Sequence, residues 1–448
     1  MKKWIFAIIA ILGVLPLSAK GLYGTWHGEI KMPGGQLPLI LHVSKGPSVK
    51  LDSPHQGAFD MAADVVDIQG DNIKFTINQI GLSYEGTLAG DNIEGKLNQG
   101  GASLPLTFEP GQGDALKRPQ TPVPPYIYKT EECKFVSDTL QRAELSGTLS
   151  LPEGAKTAIV FVTGSGLQDR DETVYGHKPF AVIADYLGRQ GIASLRYDDR
   201  GYGESTGSET IDKATTKVFA ADARAAVDAL RAKGVFDKIG VLGHSEGGTI
   251  AAMLAAQGAV DFAIGIGTPA LRGDSVLTEQ NRSILLASGV SPEMTERYCE
   301  AFGQTAEFAE KYGATPMLGA YVATLTAQWP QDVVSQTLAK NLASAAQQMT
   351  GSWMREFLSY DTSKDIAAAK CPILLIYGEK DTQVDAKANS AAAQEAAKSN
   401  KNVEVQVIQG LNHIMQHAQT GNIAEYALIE ETVAQEIFDA VEKFLKKK

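Results

Sequence analysis

The chain has 448 residues, 44% hydrophobic and 21% charged, which is a globular composition and not a disordered or fibrous one. Asp and Glu total 52 against 41 Lys and Arg, for a net charge of −11. That balance excludes a protein organised around a basic nucleic-acid surface and argues against adhesion to an anionic membrane.

Lys2 and Lys3, the apolar run Trp4–Leu15 and the segment Pro16-Leu17-Ser18-Ala19 have the layout of a secretory signal. Residues 1–19 are expected to be removed after Ala19, leaving a periplasmic or secreted product. The apolar run is short for a bilayer span. No later stretch reaches that length, so no membrane contact is expected after cleavage.

Residues 20–112 read as a small all-β domain, a barrel or a sandwich. Alternating runs such as Leu37–Val43 recur, and Gly70-Asp71-Asn72-Ile73 is repeated as Gly90-Asp91-Asn92-Ile93, as in successive hairpins. Trp26 is expected in its core. Residues 113–125 include Pro119, Pro122, Pro124 and Pro125 and read as a Pro-rich linker in extended conformation.

From residue 126 to the end the pattern changes. Two strand-like runs, 126–135 and 143–151, come first. Strands at 157–162, 192–197, 238–243 and 260–265 then alternate with helices at 178–190, 217–233 and 246–257. Such alternation implies a doubly wound, mostly parallel α/β sheet. It stops at about 270–366, which is helix-rich, with helices expected at 292–302 and 333–349. It resumes with a strand at 372–377, a helix at 386–399, a strand at 403–408 and a helix at 431–446. The helical insertion is expected as a cap over the carboxyl ends of the strands, where such sheets bind ligands.

Gly243-His244-Ser245-Glu246-Gly247 is a G-x-S-x-G segment between a strand and a helix. A serine on that sharp turn is exposed at a helix N-terminus, which favours developing negative charge. A serine hydroxyl needs a base, and the base an orienting acid. The turn resembles that of the α/β-hydrolases, and this resemblance implies that acid and base follow the serine in that order. Asp381, after the strand 372–377, is the acid, with Asp385 and Glu379 as rivals. His413, after the strand 403–408, is the base; His417, expected on a local helix, is its rival. The oxyanion hole needs two backbone amides. One is that of Glu246, and the other is that of Ser165, Gly166 or Leu167. Cys133, Cys299 and Cys371 have no metal-ligand spacing and are expected as buried thiols.

Residues 126–448 resemble the α/β-hydrolase superfamily, in its exported serine esterase and serine aminopeptidase-like branch. The resemblance is carried by Gly164-Ser165-Gly166, Asp169-Arg170-Asp171, His177-Lys178-Pro179-Phe180, Arg196 to Ser205, the Ser245 turn, Tyr377 to Asp381 and Leu411-Asn412-His413. The position before Gly164, often His in the superfamily, is Thr163. The resemblance implies an α/β-hydrolase with a helical cap and an acyl-enzyme mechanism. Among its matching polar residues, Asp199 and Arg200 are expected to pair with each other. Asp169, Arg170, Asp171 and His177 are expected to brace the oxyanion loop. Tyr202 is a candidate to line the acyl pocket.

The expected activity is hydrolysis of short acyl esters by Ser245, His413 and Asp381, with no metal and no organic cofactor. A peptidase on short peptides would use the same residues, with Glu300, Glu307 or Glu310 holding a substrate ammonium. An inert hydrolase that binds a glycan or a partner is the reading from another class. A small ester or peptide is the expected partner, and nucleic acid is not. Oligomeric state is open.

Overall fold

A computed structural model describes residues 21–32, 35–46, 48–54, 58–111, 113, 117–313 and 315–447. Residues 1–19, expected as a secretory signal, lie outside the described residues. The chain forms two compact units, divided between Lys117 and Arg118.

Among its described residues the first unit holds nine strands: β1 (Gly24–Met32), β2 (Gly35–Ser44), β3 (Ser48–Ser53), β4 (Ala58–Ala62), β5 (Val65–Gln69), β6 (Asn72–Ile77), β7 (Leu82–Ala89), β8 (Asn92–Gln99) and β9 (Ala102–Pro110). They form one antiparallel sheet in the order β4-β3-β2-β1-β9-β8-β7-β6-β5. The two edge strands are consecutive in the chain, joined by Ala63 and Asp64. Those residues donate their amides to Val49 of β3 and Thr76 of β6. The sheet is thus a half-barrel whose two edge strands, β4 and β5, are not paired with each other among the described residues. Gly70 and Gly90 turn their hairpins at φ +58° and +64°. Alternate residues point inward, so Trp26, Leu41, Leu51, Phe75, Tyr84 and Phe108 fill the interior. The Trp26 indole N–H donates to the Leu22 carbonyl at 2.9 Å.

The second unit begins with β10 (Lys129–Ser137), β11 (Ala143–Leu151) and β12 (Thr157–Val162). These lead into α1 (Pro179–Arg189), β13 (Ala193–Tyr197), α2 (Thr216–Ala232), β14 (Lys238–His244), α3 (Glu246–Gln257) and β15 (Phe262–Ile266). Six helices intervene: α4 (Gly273–Ala287), α5 (Pro292–Tyr312), α6 (Met317–Thr326), α7 (Val333–Gln348), α8 (Ser352–Ser359) and α9 (Ser363–Ala368). β16 (Ile373–Gly378), α10 (Ala386–Ala397), β17 (Val403–Ile408) and α11 (Gln435–Leu445) complete the unit. The sheet order is β10-β11-β13-β12-β14-β15-β16-β17, with β11 alone running against the rest.

The parallel strands are continuously apolar because both of their faces are buried. In β12, Ala158, Val160 and Val162 pack with α2 and α3, while Ile159 and Phe161 pack with α1 and α11. The helices α5 to α8 have a core of their own, built around Tyr298, Phe302, Leu342 and Leu358. Helix α5 runs ten residues past its expected end at Phe302. Its buried stripe continues through Thr305, Ala306 and Ala309, and Gly303 faces open space, so the cost of a helical glycine is outvoted.

Two further differences have one cause. Residues 118–125, expected as part of a spacer, belong to the second unit. Arg118 donates to the carbonyls of Tyr175, Ala427 and Ile429, and the Gln120 side chain bonds Thr432 and Val433. Helix α11 starts at Gln435, not 431, because residues 431–434 are engaged elsewhere, Thr432 by Gln120 and His177, and Ala434 by Met415. His177 is fully buried there, 2.8 Å from the Thr432 hydroxyl and 3.0 Å from the Tyr426 carbonyl.

Burial, reinforced by the Arg118 charge, lowers the His177 pKa from 6.5 to about 4. The folded state therefore holds His177 neutral while the unfolded chain takes up a proton below 6.5. Stability from this group is complete above pH 6.5 and drains away as the pH falls to about 4. Over that window wild type is expected to lose on the order of 3 kcal/mol that His177→Gln does not lose. Denaturant unfolding at pH 7 and pH 4 measures the gap, and parallel losses in the two proteins would contradict it.

Cys133, Cys299 and Cys371 are buried and form no disulfide. Among the described residues no helix is long and apolar enough to cross a membrane, and no three His, Cys, Asp or Glu are grouped to hold a metal ion.

Candidate active site

Four loops at the carboxyl ends of β12, β14, β16 and β17 converge. Ser245 sits between β14 and α3 at φ 52°, ψ −119°, a strained conformation for a residue with a side chain. Its amide donates to Ile266 of β15 at 2.8 Å. The flanking glycines are required by space. A Cβ on Gly243 would lie 1.9 Å from the Gly247 carbonyl oxygen, and one on Gly247 would lie 2.1 Å from that of Val162.

The acid and base positions are joined. Asp381 Oδ2 accepts from His413 Nδ1 at 2.7 Å, with both side chains buried. The other oxygen, Oδ1, accepts the amides of Gln383 and Val384, each at 2.8 Å. The rivals are occupied elsewhere. Asp385 caps α10 through the Ala388 amide. Glu379 accepts the Gly410 amide. His417 is not on a helix: it is half-exposed, bridged to Leu411 and paired with Glu431 and Glu436.

Ser245 and His413 line one cavity of about 330 Å³. Its walls are mostly apolar or aromatic, including Tyr175, Val276, Phe357, Trp353, Val384 and Tyr426, with Gln168, Gln280 and Gln383 as polar points. Of the candidate oxyanion residues after β12, Ser165 lines this cavity, and Gly166 and Leu167 do not. The Glu246 amide belongs to the first turn of α3, whose N–H groups have no intrahelical acceptor. Tyr202 is 43% exposed and is not among the lining residues, so its expected place in the acyl pocket is not found. It sits in the tight turn after β13, where the Tyr202 amide donates to Asp199.

Two expectations about the surrounding charges need correction. Arg200 pairs not with its neighbour Asp199 but bidentately with Asp222 of α2, at 2.6 and 2.9 Å. Asp199 points the other way and accepts the Thr163 hydroxyl and the Gln168 amide. Burial pushes its carboxyl well above the usual range, against those bonds. His177 is tied to the 426–432 segment rather than to the oxyanion loop. Arg170 clamps Asp198 and Glu204, Asp171 pairs with Arg196, and Asp169 accepts the Asp171 and Thr173 amides.

Three side chains beside Ser245 were not foreseen. Glu172, 3% exposed and at φ +52°, accepts the Gly164 amide at 2.8 Å and meets His244 Nδ1 at 2.9 Å. His244 Nε2 in turn lies 3.0 Å from the His413 carbonyl. Burial works against charging His244, but Glu172 outweighs it and holds the imidazole pKa above its usual value. On the other side, the Glu246 side chain accepts from Thr216 at 2.5 Å and from the Trp353 indole of α8 at 2.8 Å. Burial raises the Glu246 carboxyl pKa despite those bonds.

The profile of the family described as serine aminopeptidase, S33, matches residues 177–418, more than half of the chain and the whole span from α1 through His413. Esterase EstD of Thermotoga maritima is 29% identical over 276 residues, which are 60% of this chain and 58% of that protein. The chain thus spans less than two thirds of that relative's length. Among solved structures, the Pyrococcus furiosus esterase Pf2001 is similar with a TM-score of 0.44 and 17% identity, over 75% of this chain and 99% of that one. A proline iminopeptidase of Mycobacterium smegmatis is similar with a TM-score of 0.41 and 16% identity, over 71% and 98%. With its strand order, its single reversed strand and the matched span, this chain has the α/β-hydrolase fold and belongs to the serine aminopeptidase S33 family.

Proposed function

We propose that this protein is a carboxylesterase for small, uncharged acyl esters and that it works outside the cytoplasm, as the Lys2–Ala19 segment suggests. Ser245 Oγ attacks the ester carbonyl carbon, and His413 Nε2 takes the hydroxyl proton. The resulting oxyanion is held by the amides of Glu246 and Ser165. Collapse of the tetrahedral intermediate breaks the bond to the alcohol, which leaves with the proton from His413. Water, deprotonated by His413, then cleaves the acyl-enzyme. Asp381 orients the imidazole and stabilises its charged form.

The cavity lining carries this reading. It joins Ser245 and His413 within largely apolar walls, and the one carboxylate among its described lining residues, Glu172, is already bonded to Gly164 and His244. An aminopeptidase needs a free carboxylate to hold the substrate ammonium. Glu300, Glu307 and Glu310 are not among the lining residues, and Glu310 is paired with Arg272. A cavity of about 330 Å³ is at the small end for ligand sites.

The test compares p-nitrophenyl esters from acetate to decanoate with aminoacyl and prolyl anilides. Ester kcat/KM is expected to exceed that for any anilide by at least about 100-fold, roughly the worth of one unpaired buried charge. It is also expected to fall beyond medium chain lengths. Dominant anilide turnover would replace this reading with a peptidase, and silence on both series would favour an inert, binding role.

A further inference from the structure

Beneath the Ser245 turn lies a second histidine–carboxylate couple that the reaction does not consume. His244 has acceptors at both ring nitrogens: the Glu172 carboxyl at Nδ1 and the His413 carbonyl at Nε2. A neutral imidazole has a single N–H and satisfies one of them. The couple therefore holds one additional proton on the Nδ1–Glu172 line, and Nε2–H is left to donate to the His413 carbonyl. Glu172 Oε1 also receives the Gly164 amide. The rings of His244 and His413 are 4.6 Å apart. One buried pair thus touches three parts of the machinery: the loop that presents Ser165, the turn that presents Ser245, and the loop that carries His413.

We propose that Glu172 and His244 are positioning residues that lock the oxyanion loop and the base loop into register across the nucleophile turn. The proposal rests on the esterase reading and on Ser245 as its nucleophile. Both line the cavity, and their hydrogen bonds run to the Gly164 amide, to each other and to the His413 carbonyl. Glu172 occupies the Gly164 amide, leaving the next amide, that of Ser165, for the developing oxyanion. His244 fixes the height of the His413 backbone and so the distance from its ring to Ser245. The left-handed backbone of Glu172 is a local cost that the closed network offsets. Catalytic geometry is steep: a displacement on the order of 1 Å costs about 100-fold in rate.

The test uses the full chain with Glu172→Gln, His244→Gln and the double variant. In Glu172→Gln the side-chain oxygen still accepts from Gly164, and only the shared proton and the charge are lost. Each protein is titrated with a fluorophosphonate, which counts reactive serines, and kcat is expressed per titrated site. Glu172→Gln is expected to lower kcat per site by about 10- to 100-fold with KM within about twofold. The double variant is expected to be no worse than the poorer single, because both changes break one device. A merely structural role would lower the titrated fraction and leave kcat per site unchanged, and that result overturns the proposal. So does a double variant whose losses multiply. If Glu172→Gln fails to fold, His244→Gln, whose amide still reaches the His413 carbonyl, carries the same expectation. Failure of wild type to label at Ser245 would instead sink the nucleophile assignment, which keeps the two ideas separable.

Discussion

Ser245→Gly is expected to abolish ester turnover and yet to melt above Ser245→Ala. Both variants remove the hydroxyl, and loss of the nucleophile of such a unit costs on the order of 10⁶ in kcat. They differ in the backbone. Ser245 is held at φ 52°, ψ −119°, a region that any Cβ makes costly and that glycine enters freely. Alanine keeps that strain. Glycine relieves roughly 1–3 kcal/mol of it while giving back up to about 1 kcal/mol in unfolded-chain entropy. The net gain is about 1 kcal/mol, read as a shift of a few degrees in melting temperature. A Gly variant less stable than the Ala variant would mean the turn is not strained. Turnover near wild type in either folded variant would remove Ser245 from the reaction. The neighbouring glycines are expected to behave in the opposite sense, since Gly243 and Gly247 have no room for a Cβ.

What was legible in the sequence follows from which interactions are local. The strands 157–162 and 403–408 and the helix 246–257 have the ends read from the residues alone, because each has its own local pattern, a continuous apolar run, an alternating run and a helix opening directly from the Ser245 turn. The placement of 245, 381 and 413 was legible because each residue follows a strand at the carboxyl edge of one parallel sheet. Long-range pairing was not. Arg200 and Asp222 are separated by a helix start, and adjacency in sequence suggested Asp199 instead. Nothing in the run Asp169-Arg170-Asp171-Glu172 says which acid turns inward. Glu172 does so because its left-handed backbone aims it under the turn, a tertiary fact with no spacing signature. His244 was hidden in plain view as the variable position of the G-x-S-x-G segment. Residues 118–125 looked like a spacer because prolines report the local chain conformation and not the acceptors that Arg118 and Gln120 reach more than 300 positions away.

Asp381→Asn is expected to lower kcat by about 10⁴-fold with little change in KM or melting temperature, and the direction of the loss follows from two backbone amides. Gln383 and Val384 both donate to Asp381 Oδ1. An asparagine at 381 must keep its carbonyl oxygen there, because turning its NH₂ towards two N–H donors would leave all of them buried and unsatisfied. The NH₂ is then forced to face His413 Nδ1, where the carboxylate had accepted at 2.7 Å. Nδ1 becomes an acceptor, the imidazole proton moves to Nε2, and the nitrogen that should take the Ser245 proton already carries one. The fold is retained because every hydrogen bond is kept, with only the one to His413 Nδ1 reversed in polarity. Activity is expected to recover partly at high pH, as hydroxide deprotonates the serine without help. Asp381→Ala, which leaves Nδ1 without a donor or acceptor and so free to choose its tautomer, is expected to be more active than Asp381→Asn when both are folded. Equal activities in the two variants, or a loss confined to KM, would show that Asp381 does not set the tautomer of His413.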